Sequence, residues 1–263
     1  MSTAIDLSGK IAIVTGSGSG LGRGIALCLA KAGADVAIAD INAEDAQGVV
    51  KEIIALGRKS FAIKTDVTKE DEVFAMVDEV VKKWGKLDIM CPNAGTCSAG
   101  PLDKLSADNW DKMMQINLYG HFYCVKAALK YMKPQKSGKI VMTASQAGRV
   151  AVPLLAGYSV SKFGVVALTK AVAQEVALDN IQVNCIGPGI IRTKIWDKIL
   201  GDLVAAGIGE ADALYKAFID AIPTKREQTP EDIGNAVTFL ASDLANEITG
   251  DILLINGGQF NCP

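Results

Sequence analysis

Short apolar runs alternate along this chain with longer segments whose apolar residues recur at helical spacing. The pattern predicts a helix between successive strands, and it places the strands at about 11–14, 35–39, 60–64, 87–91, 139–143, 181–186 and 251–255. Strands joined by helices form right-handed parallel crossovers. We therefore predict an α/β fold of Rossmann type, a doubly wound parallel sheet of about seven strands. Its active site should lie outside the carboxyl ends of the strands.

The 263 residues are expected to form a single domain over 1–263, because no linker-like or repetitive tract divides the chain. Residues 190–228 lose the regular pattern and contain Gly201, Gly207 and Gly209 between short helical pieces. Such segments beside an active site commonly close over the substrate. We expect a substrate lid at about 190–228.

Composition argues against several kinds of partner. A formal net charge of −2 without a basic cluster argues against nucleic acid. No apolar run approaches the roughly 18 residues of a membrane span, and the first residues lack a signal-peptide pattern. The six cysteines are scattered without a C-x-x-C pair, as in reduced cytosolic proteins. We expect a cytoplasmic protein whose thiols, including Cys91 and Cys97, are buried.

The chain has a single histidine, His121, which limits the metal sites and catalytic triads that it could form. It cannot build a multi-histidine metal site, and no H-E-x-x-H motif is present. A Ser-His-Asp triad would need this residue, and the chain has no G-x-S-x-G turn. We predict no metal site and a structural role for His121.

The first predicted strand ends in a glycine-rich turn over residues 15–22, before a helix from about Arg23 to Ala32. The spacing is T-G-x-x-x-G-x-G, with Gly16, Gly20 and Gly22, and no G-x-G-x-x-G spacing is met. Backbone N–H groups at such a helix start bind the pyrophosphate of a dinucleotide. The alternative is a glycine-rich turn without a ligand.

Asp40 ends the second predicted strand, 18 residues after Gly22. A carboxylate there can accept hydrogen bonds from the adenosine ribose hydroxyls and would repel a 2′-phosphate. The sequence therefore predicts NAD rather than NADP. The alternative role of Asp40 is to cap the helix that begins near Ala43.

Tyr158 and Lys162 stand four residues apart at the head of a helix predicted over 158–179. That spacing places the phenol and the ammonium on one face, where the cation is expected to lower the phenol pKa from about 10. Such a tyrosine can exchange a proton with an alcohol near neutral pH. Ser145, just after the strand at 139–143, could hold the reacting oxygen. The alternative is a surface tyrosine and lysine, because Y-x-x-x-K is common by chance.

Together these motifs resemble those of the short-chain dehydrogenase/reductase family over essentially the whole chain. Two positions depart from the family pattern: Pro92 replaces the first Asn of N-N-A-G, and Asn256 replaces the Asp of D-G-G. The matching motifs are Thr15-Gly16-x-x-x-Gly20-x-Gly22, Asp66-Val67, Asn93-Ala94-Gly95, Asn117, Ser145, Tyr158-x-x-x-Lys162 and Pro188-Gly189 with Thr193.

The resemblance implies an NAD-dependent oxidoreductase with four catalytic residues. Tyr158 would be the general acid/base, and Ser145 would orient the substrate oxygen. Lys162 would lower the tyrosine pKa and bind the nicotinamide ribose. Asn117 would position a water in the proton relay.

The resemblance also implies how the cofactor is held. Asp66 would meet the adenine, and Thr193 would hold the nicotinamide amide. NADP-preferring relatives typically carry Arg or Lys where this chain has Ser19 and Ile41, so no cation is placed to offset a 2′-phosphate. The implied cofactor residues are Gly16, Ser19, Gly20, Leu21, Gly22, Asp40, Asp66, Val67, Asn93, Ala94, Gly95, Tyr158, Lys162, Pro188, Gly189 and Thr193.

Ser145-Gln146 and the Thr193-x-x-Trp196 spacing are similar to acetoin reductases, butanediol dehydrogenases and sorbitol-type dehydrogenases. This implies a secondary alcohol, in particular a small diol, polyol or hydroxyketone, that meets Gln146 and Trp196. The alternatives are a 3-oxoacyl or cyclic/steroid-type alcohol, or a catalytically silent dinucleotide-sensing protein. The family resemblance also implies a homotetramer built on helices 106–130 and 158–179, with the tail 259–263 reaching a neighbour.

Overall fold

The computed structural model describes residues 5–260, and a parallel sheet runs through its centre. Its strands are β1 (Ile11–Thr15), β2 (Asp35–Asp40), β3 (Ser60–Lys64), β4 (Ile89–Cys91), β5 (Gly138–Thr143), β6 (Ile181–Pro188) and β7 (Ile252–Ile255). Every neighbouring pair is parallel, in the order β3-β2-β1-β4-β5-β6-β7. The predicted single-domain Rossmann-type fold with seven strands is confirmed.

Helices connect the strands and cover both faces of the sheet. They are α1 (Gly20–Lys31), α2 (Ala43–Ala55), α3 (Glu70–Trp84), α4 (Ala107–Met114), α5 (Gly120–Gln135), α6 (Ala156–Val176), α7 (Lys194–Ala205), α8 (Ala211–Asp220) and α9 (Pro230–Leu240). Over residues 5–260, no helix has both the length and the apolar character needed to cross a membrane.

The side chains of each strand alternate between two hydrophobic cores, one on each face of the sheet. In β1, Ile11 and Ile13 belong to the core shared with α3, α5 and α6. Ala12 and Val14 belong to the core shared with α1, α2 and α9. Because helices cover both faces of a parallel sheet, its strands are apolar throughout. This is why they appear in the sequence as continuous apolar runs.

The order of strands reverses between β1 and β4, since the chain first builds β2 and β3 on one side of β1 and then crosses to the other. Helices diverge at such a point and leave a crevice outside the carboxyl ends of the strands. The glycine-rich turn follows β1 directly, and residues 92–95 follow β4 directly. Topology therefore brings these two motifs to the same crevice.

Three local predictions differ from the structure. First, α1 begins at Gly20 rather than near Arg23, so Gly22 also lies in its first turn. Second, residues 115–119 form a π-helical turn between α4 and α5, which no apolar pattern indicates. Third, residues 190–228 are more regular than predicted, because α7 and α8 have 12 and 10 residues and pack apolar side chains on each other.

Candidate active site

A cleft of about 640 Å³ opens at the carboxyl ends of the strands. It brings together most of the residues that the sequence singles out, because parallel strands end at one edge of the sheet. Two of them, Asn117 and Gln146, do not line it. Those that do are Gly16, Ser19, Gly20, Leu21, Gly22, Asp40, Asp66, Val67, Asn93, Ala94, Gly95, Ser145, Tyr158, Lys162, Pro188, Gly189, Thr193 and Trp196.

The cleft also contains residues that sequence reasoning missed. Each lies within a few positions of a motif residue along the chain. That proximity is the only feature of the sequence that could have indicated them. They are Thr65, Ile116, Thr143, Ala144, Ile191, Arg192, Lys194, Ile195 and Asp197, and Ile41, named above only for its lack of charge, lines the cleft as well.

The glycine-rich turn leaves the first backbone donors of α1 open to the cleft. Gly16 (φ +62°) and Gly20 (φ +53°) adopt conformations that other residues rarely take. A Cβ at Gly22 would lie 2.2 Å from the Gly16 carbonyl oxygen, so only glycine permits this packing. Ser19 precedes α1 without a side-chain cap hydrogen bond, and the first turn holds no acidic residue. These N–H groups and the positive end of the helix dipole fit the pyrophosphate of a dinucleotide.

Asp40 lies at the end of β2, and both of its carboxylate oxygens accept backbone hydrogen bonds. Oδ2 accepts from the Gly18 N–H at 2.8 Å, and Oδ1 accepts from the Asn42 N–H at 3.0 Å. The side chain of Asn42 caps α2 by accepting from the N–H groups of Glu44 and Asp45. The alternative that Asp40 caps this helix is therefore wrong. Each Asp40 oxygen keeps a lone pair that can accept from a ribose hydroxyl.

Lys194 is a cation that lines the cleft near Asp40, where the sequence predicted none. Its Nζ lies 3.5 Å from Asp45 Oδ2. A Cβ at Gly18 would lie 2.9 Å from the Asp45 Cβ and 3.0 Å from Asp40 Oδ2, so the two carboxylates flank the same glycine. A cation is therefore near the end of β2, but its charge is paired with Asp45.

The end of β3 packs against the start of α5. A Cβ at Gly120 would lie 2.9 Å from a Val67 methyl carbon, so glycine is needed for the approach. Asp66 Oδ1 accepts from the backbone N–H of Thr68 at 3.0 Å and from its hydroxyl at 2.7 Å. These contacts hold Asp66 and Val67 at the edge of the cleft.

Asn93 joins the ends of three strands beneath the cleft. Its Nδ2 donates to the carbonyl oxygens of Thr15 and Gly16 at 3.0 and 3.2 Å. Its Oδ1 accepts from the Thr143 hydroxyl at 3.2 Å. The departure at Pro92 disturbs none of this, because the Pro92 carbonyl accepts from the Thr143 N–H at 2.8 Å.

The reactive side chains meet between β5 and α6. Lys162 is 2% exposed, and its Nζ donates to the Thr143 carbonyl at 2.8 Å. The same Nζ lies 5.7 Å from the centroid of the Tyr158 ring, as helical spacing predicts. Ser145 follows β5, and its hydroxyl oxygen accepts from the Ala147 N–H at 3.1 Å. Burial lowers the pKa of Lys162 to about 8.

The pKa of Tyr158 contradicts the expectation from the sequence. Burial raises it above its ordinary value of 10.0, and a side-chain hydrogen bond with Ser145 opposes that rise. The prediction that Lys162 lowers this pKa is wrong in this arrangement. Burial is the largest influence on this pKa, and Lys162 Nζ donates to the Thr143 carbonyl instead.

Asn117 lies behind the cleft within the π-helical turn and is fully buried. Its Oδ1 accepts from the Thr96 N–H at 2.8 Å, and its Nδ2 donates to the Thr96 carbonyl at 2.9 Å. Nδ2 also donates to the Ser161 hydroxyl at 3.0 Å. Asn117 thus ties the loop after β4 to α6, and π-turns of this kind are frequent at functional sites.

Burial makes His121, Cys91 and Cys97 poorly suited to proton transfer or nucleophilic attack. His121 is 1% exposed, and burial lowers its pKa well below the ordinary value, which keeps the ring neutral. Cys91 and Cys97 are free and buried as predicted, and burial raises the pKa of each thiol to about 12. Thiols with such pKa values are poor nucleophiles. Within residues 5–260, no group of three or more His, Cys, Asp or Glu could hold a metal ion.

The two predicted substrate residues have different surroundings. Gln146 is buried, and its Nε2 donates to Gln259 Oε1 at 2.9 Å, while its own Oε1 has no partner. Gln259 therefore contacts its own chain, and residues 261–263 of the tail predicted to reach a neighbour lie outside the described residues. Trp196 lines the cleft and also packs edge-on against Tyr215 and Phe218, at ring-centroid distances of 6.0 and 5.2 Å.

A Rossmann-type sheet with a phosphate-binding turn and a serine, tyrosine and lysine in one cleft is the arrangement of a dinucleotide-linked oxidoreductase. A family model described as enoyl-(acyl carrier protein) reductase matches residues 16–259. The 3-oxoacyl-[acyl-carrier-protein] reductase FabG of Staphylococcus aureus is 40% identical over 252 residues, which cover 95% of this chain and 98% of that protein.

Solved structures agree with the sequence comparisons. A short-chain type dehydrogenase/reductase from Mycobacterium marinum has a TM-score of 0.89 at 35% identity, covering 99% of this chain and 98% of that one. An NAD⁺-bound xylitol dehydrogenase has a TM-score of 0.92 at 32% identity, covering 95% and 99%. The chain belongs to the short-chain dehydrogenase/reductase family and is an oxidoreductase of that family.

Proposed function

We propose that the protein interconverts a secondary alcohol and its ketone by hydride transfer with NAD(H). The observation that carries this proposal is the shared cleft, in which Ser145, Tyr158 and Lys162 line the same space as the glycine turn before α1. Bound nicotinamide would supply hydride to the carbonyl carbon or accept it from the alcohol.

The protein side chains would move the proton. Tyr158 donates its phenolic proton to the carbonyl oxygen during reduction and takes it back during oxidation. Its raised pKa keeps the phenol protonated, which reduction requires, and disfavours the phenolate, which oxidation requires. Ser145 would orient the substrate oxygen with a hydrogen bond. Lys162, with a pKa of about 8, can return a proton to the phenol near neutral pH, and Asn117 would hold a water behind it.

The cofactor would be NAD, held by the residues that line the cleft. The first turn of α1 would bind the pyrophosphate and Asp40 the adenosine ribose. Asp66 would meet the adenine. Lys162 would meet the nicotinamide ribose, and Thr193 the nicotinamide amide. Support comes from the oxygens of Asp40, each of which accepts one backbone N–H and keeps a lone pair for a ribose hydroxyl.

Two substrate classes have support. A small diol, polyol or hydroxyketone is supported by the resemblance at Gln146 and Trp196 and by the similarity to xylitol dehydrogenase. A 3-oxoacyl group on an acyl carrier protein is supported by the 40% identity to a 3-oxoacyl-[acyl-carrier-protein] reductase.

Residues 190–228 would form the substrate lid. Trp196 and Ile195, both on α7, line the cleft. The contacts that hold α7 to the body include exposed ion pairs such as Lys194 with Asp45, which cost little to break. Hydrogen exchange in this segment should be faster than in the sheet and should slow when cofactor and substrate bind. Equal protection in both states would contradict a lid.

The protein would act as a homotetramer built on helices 106–130 and 158–179. Large apolar side chains exposed by 41–48% support this: Tyr119, Phe122, Val160 and Phe163. Light scattering should give four chain masses, and a monomer at micromolar concentration would contradict the proposal.

The proposed activity is tested by following NADH absorbance with a panel of ketones, and with alcohols plus NAD⁺. Turnover is expected with at least one secondary alcohol and its ketone. Silence across a broad panel with both NAD(H) and NADP(H) would favour the catalytically silent dinucleotide-sensing alternative.

A further inference from the structure

We propose that the protein binds a small oxyanion, of the size of inorganic phosphate, in a second pocket at the amino ends of the strands. The pocket contains the ammonium group of Lys139, and the oxyanion would be its counter-ion. The candidate active site lies at the opposite edge of the sheet, so binding in the second pocket does not depend on the proposed reaction.

The second pocket has a volume of about 80 Å³ and lies where β4, β5 and β6 begin. Ile89, Gly138 and Gln182, from the starts of these strands, line it. Side chains alternate along a strand, so Lys139 lies on the same face of β5 as Val141, which belongs to the core shared with α1, α2 and α9. The lysine side chain therefore reaches the segment that follows α9.

Lys139 is a buried cation whose charge is not matched by a neighbouring carboxylate. Of the lysines in residues 5–260, only Lys139 and Lys162 are buried, at 8% and 2% exposed, and Lys162 lines the candidate active site. Lys139 Nζ donates to the neutral amide oxygen Asn246 Oδ1 at 2.7 Å, and it forms no ion pair with any other described residue. Buried lysines are rare unless their charge is paired. An ammonium has three donors, so two of them are available to an anion.

The charges around Lys139 favour an anion. Asp88 lines the pocket, but Lys86 Nζ already pairs with its carboxylate at 2.8 Å. Lys10 lines the pocket as a second cation. The other carboxylate of the lining, Asp243, is exposed and has no ion pair within the part of the chain that the structure describes. The lining thus has two ammonium groups against one carboxylate that is not neutralised by an ion pair.

The size and the neutral groups of the pocket indicate the class of anion. A volume of about 80 Å³ equals that of about two to three water molecules in the liquid, which suits an ion of roughly five heavy atoms and excludes a nucleotide. Hydroxyl and amide groups can donate to the oxygens of such an ion beside the two lysines. These groups belong to Ser137, Asn180, Gln182 and Asn246.

The pKa of Lys139 agrees with a site that lacks one negative charge. Burial lowers this pKa to about 8, Asp243 opposes the shift, and Lys10 adds to it. A bound oxyanion would favour the charged form of the lysine and raise its pKa. Because the ion would bind to the folded chain only, it should also stabilise the protein against unfolding.

The first test is isothermal titration of the full chain with inorganic phosphate at constant ionic strength. One saturable site per chain is expected. The titration is repeated with excess dinucleotide, which would displace phosphate from the glycine-rich turn before α1 but not from the second pocket. No saturable binding at millimolar phosphate, or binding that the dinucleotide abolishes, would overturn the inference.

The second test is Lys139→Met, which keeps an unbranched side chain and removes the charge. The affinity for phosphate should fall about tenfold or more, the order expected for the loss of a charge-assisted hydrogen bond. The matched control is Lys51→Met, at an exposed lysine of α2 that does not line the pocket, and it should bind phosphate as the wild type does. Equal affinities in Lys139→Met and Lys51→Met would contradict the assigned site.

Lys10→Met gives a second variant, because Lys10 is only half-buried and its replacement does not disturb the core. It should weaken phosphate binding several-fold even if Lys139→Met fails to fold. An unchanged affinity in Lys10→Met would also contradict the site.

Thermal unfolding checks the same site by its effect on stability. Phosphate at about ten times its Kd should raise the Tm of the wild type by about 3–6 °C relative to sodium chloride of equal ionic strength. Phosphate also stabilises proteins in general because it is excluded from their surface. The specific part is therefore the rise that Lys51→Met keeps and Lys10→Met reduces, and an equal rise in both variants would mean that phosphate acts only as a general stabiliser.

Discussion

Replacing Tyr158 with phenylalanine should lower kcat by about 10²- to 10⁴-fold, the usual contribution of a general acid/base group. The ring keeps its packing against the buried cluster of Cys97, Ile199 and Leu203, and only the hydroxyl that exchanges the proton is lost. Affinity for NADH should stay close to that of the wild type. Because Lys162 donates to the Thr143 carbonyl rather than depending on the phenol, its position should also be kept.

Steady-state kinetics with the best ketone, together with NADH binding by fluorescence, measures both effects. Tyr131→Phe is a matched control, since it also removes a phenolic hydroxyl with a hydrogen bond, to Asp78 at 2.8 Å, but outside the cleft. Activity of Tyr158→Phe within a few-fold of the wild type would show that another group transfers the proton.

The protein should prefer NAD⁺ to NADP⁺ by about a hundredfold in kcat/KM, which corresponds to a few kcal/mol of repulsion. A 2′-phosphate would bring up to two further negative charges against the Asp40 carboxylate in a partly desolvated cleft. Lys194 lines the cleft, and its ammonium pairs with Asp45, which flanks Gly18 beside Asp40. Asp40→Ala should therefore relax the preference, and adding Ile41→Arg should relax it further.

The prediction is tested by measuring initial rates with NAD⁺ and with NADP⁺ for the wild type and both variants, and comparing the kcat/KM values. The matched control is Glu44→Ala, which removes an exposed carboxylate from the start of α2 without touching the cleft. It should leave the preference unchanged. Comparable efficiency with NADP⁺ in the wild type would overturn the role assigned to Asp40.

The strands and the convergence of the motifs could be predicted because both depend on local patterns. Buried parallel strands are apolar runs, and the residues after them meet at one edge whatever the details of packing. Asp40, Asn93, Ser145 and Thr193 therefore lie together, as their positions at or after the ends of four of the apolar runs indicate.

The internal contacts of those residues could not be predicted. Asn93 is joined to Thr15 and Thr143, which are 78 and 50 residues away, and no local pattern records such pairs. The π-helical turn at Asn117 also has no apolar signature, since it inserts one residue into an otherwise continuous helical pattern.

The sequence by itself determined the class of this protein: the fold, the phosphate-binding turn and the tyrosine and lysine at helical spacing. Each of these depends on residue type at short range, through glycine's access to positive φ or the rise of a helix. Only the tertiary structure decided the environment of the reactive groups. Burial raises the pKa of Tyr158 against the expected effect of Lys162, and the helices of residues 190–228 place Trp196 and Leu203 in the apolar cluster that contacts its ring. Burial and long-range packing depend on the whole chain, so no stretch of sequence contains them.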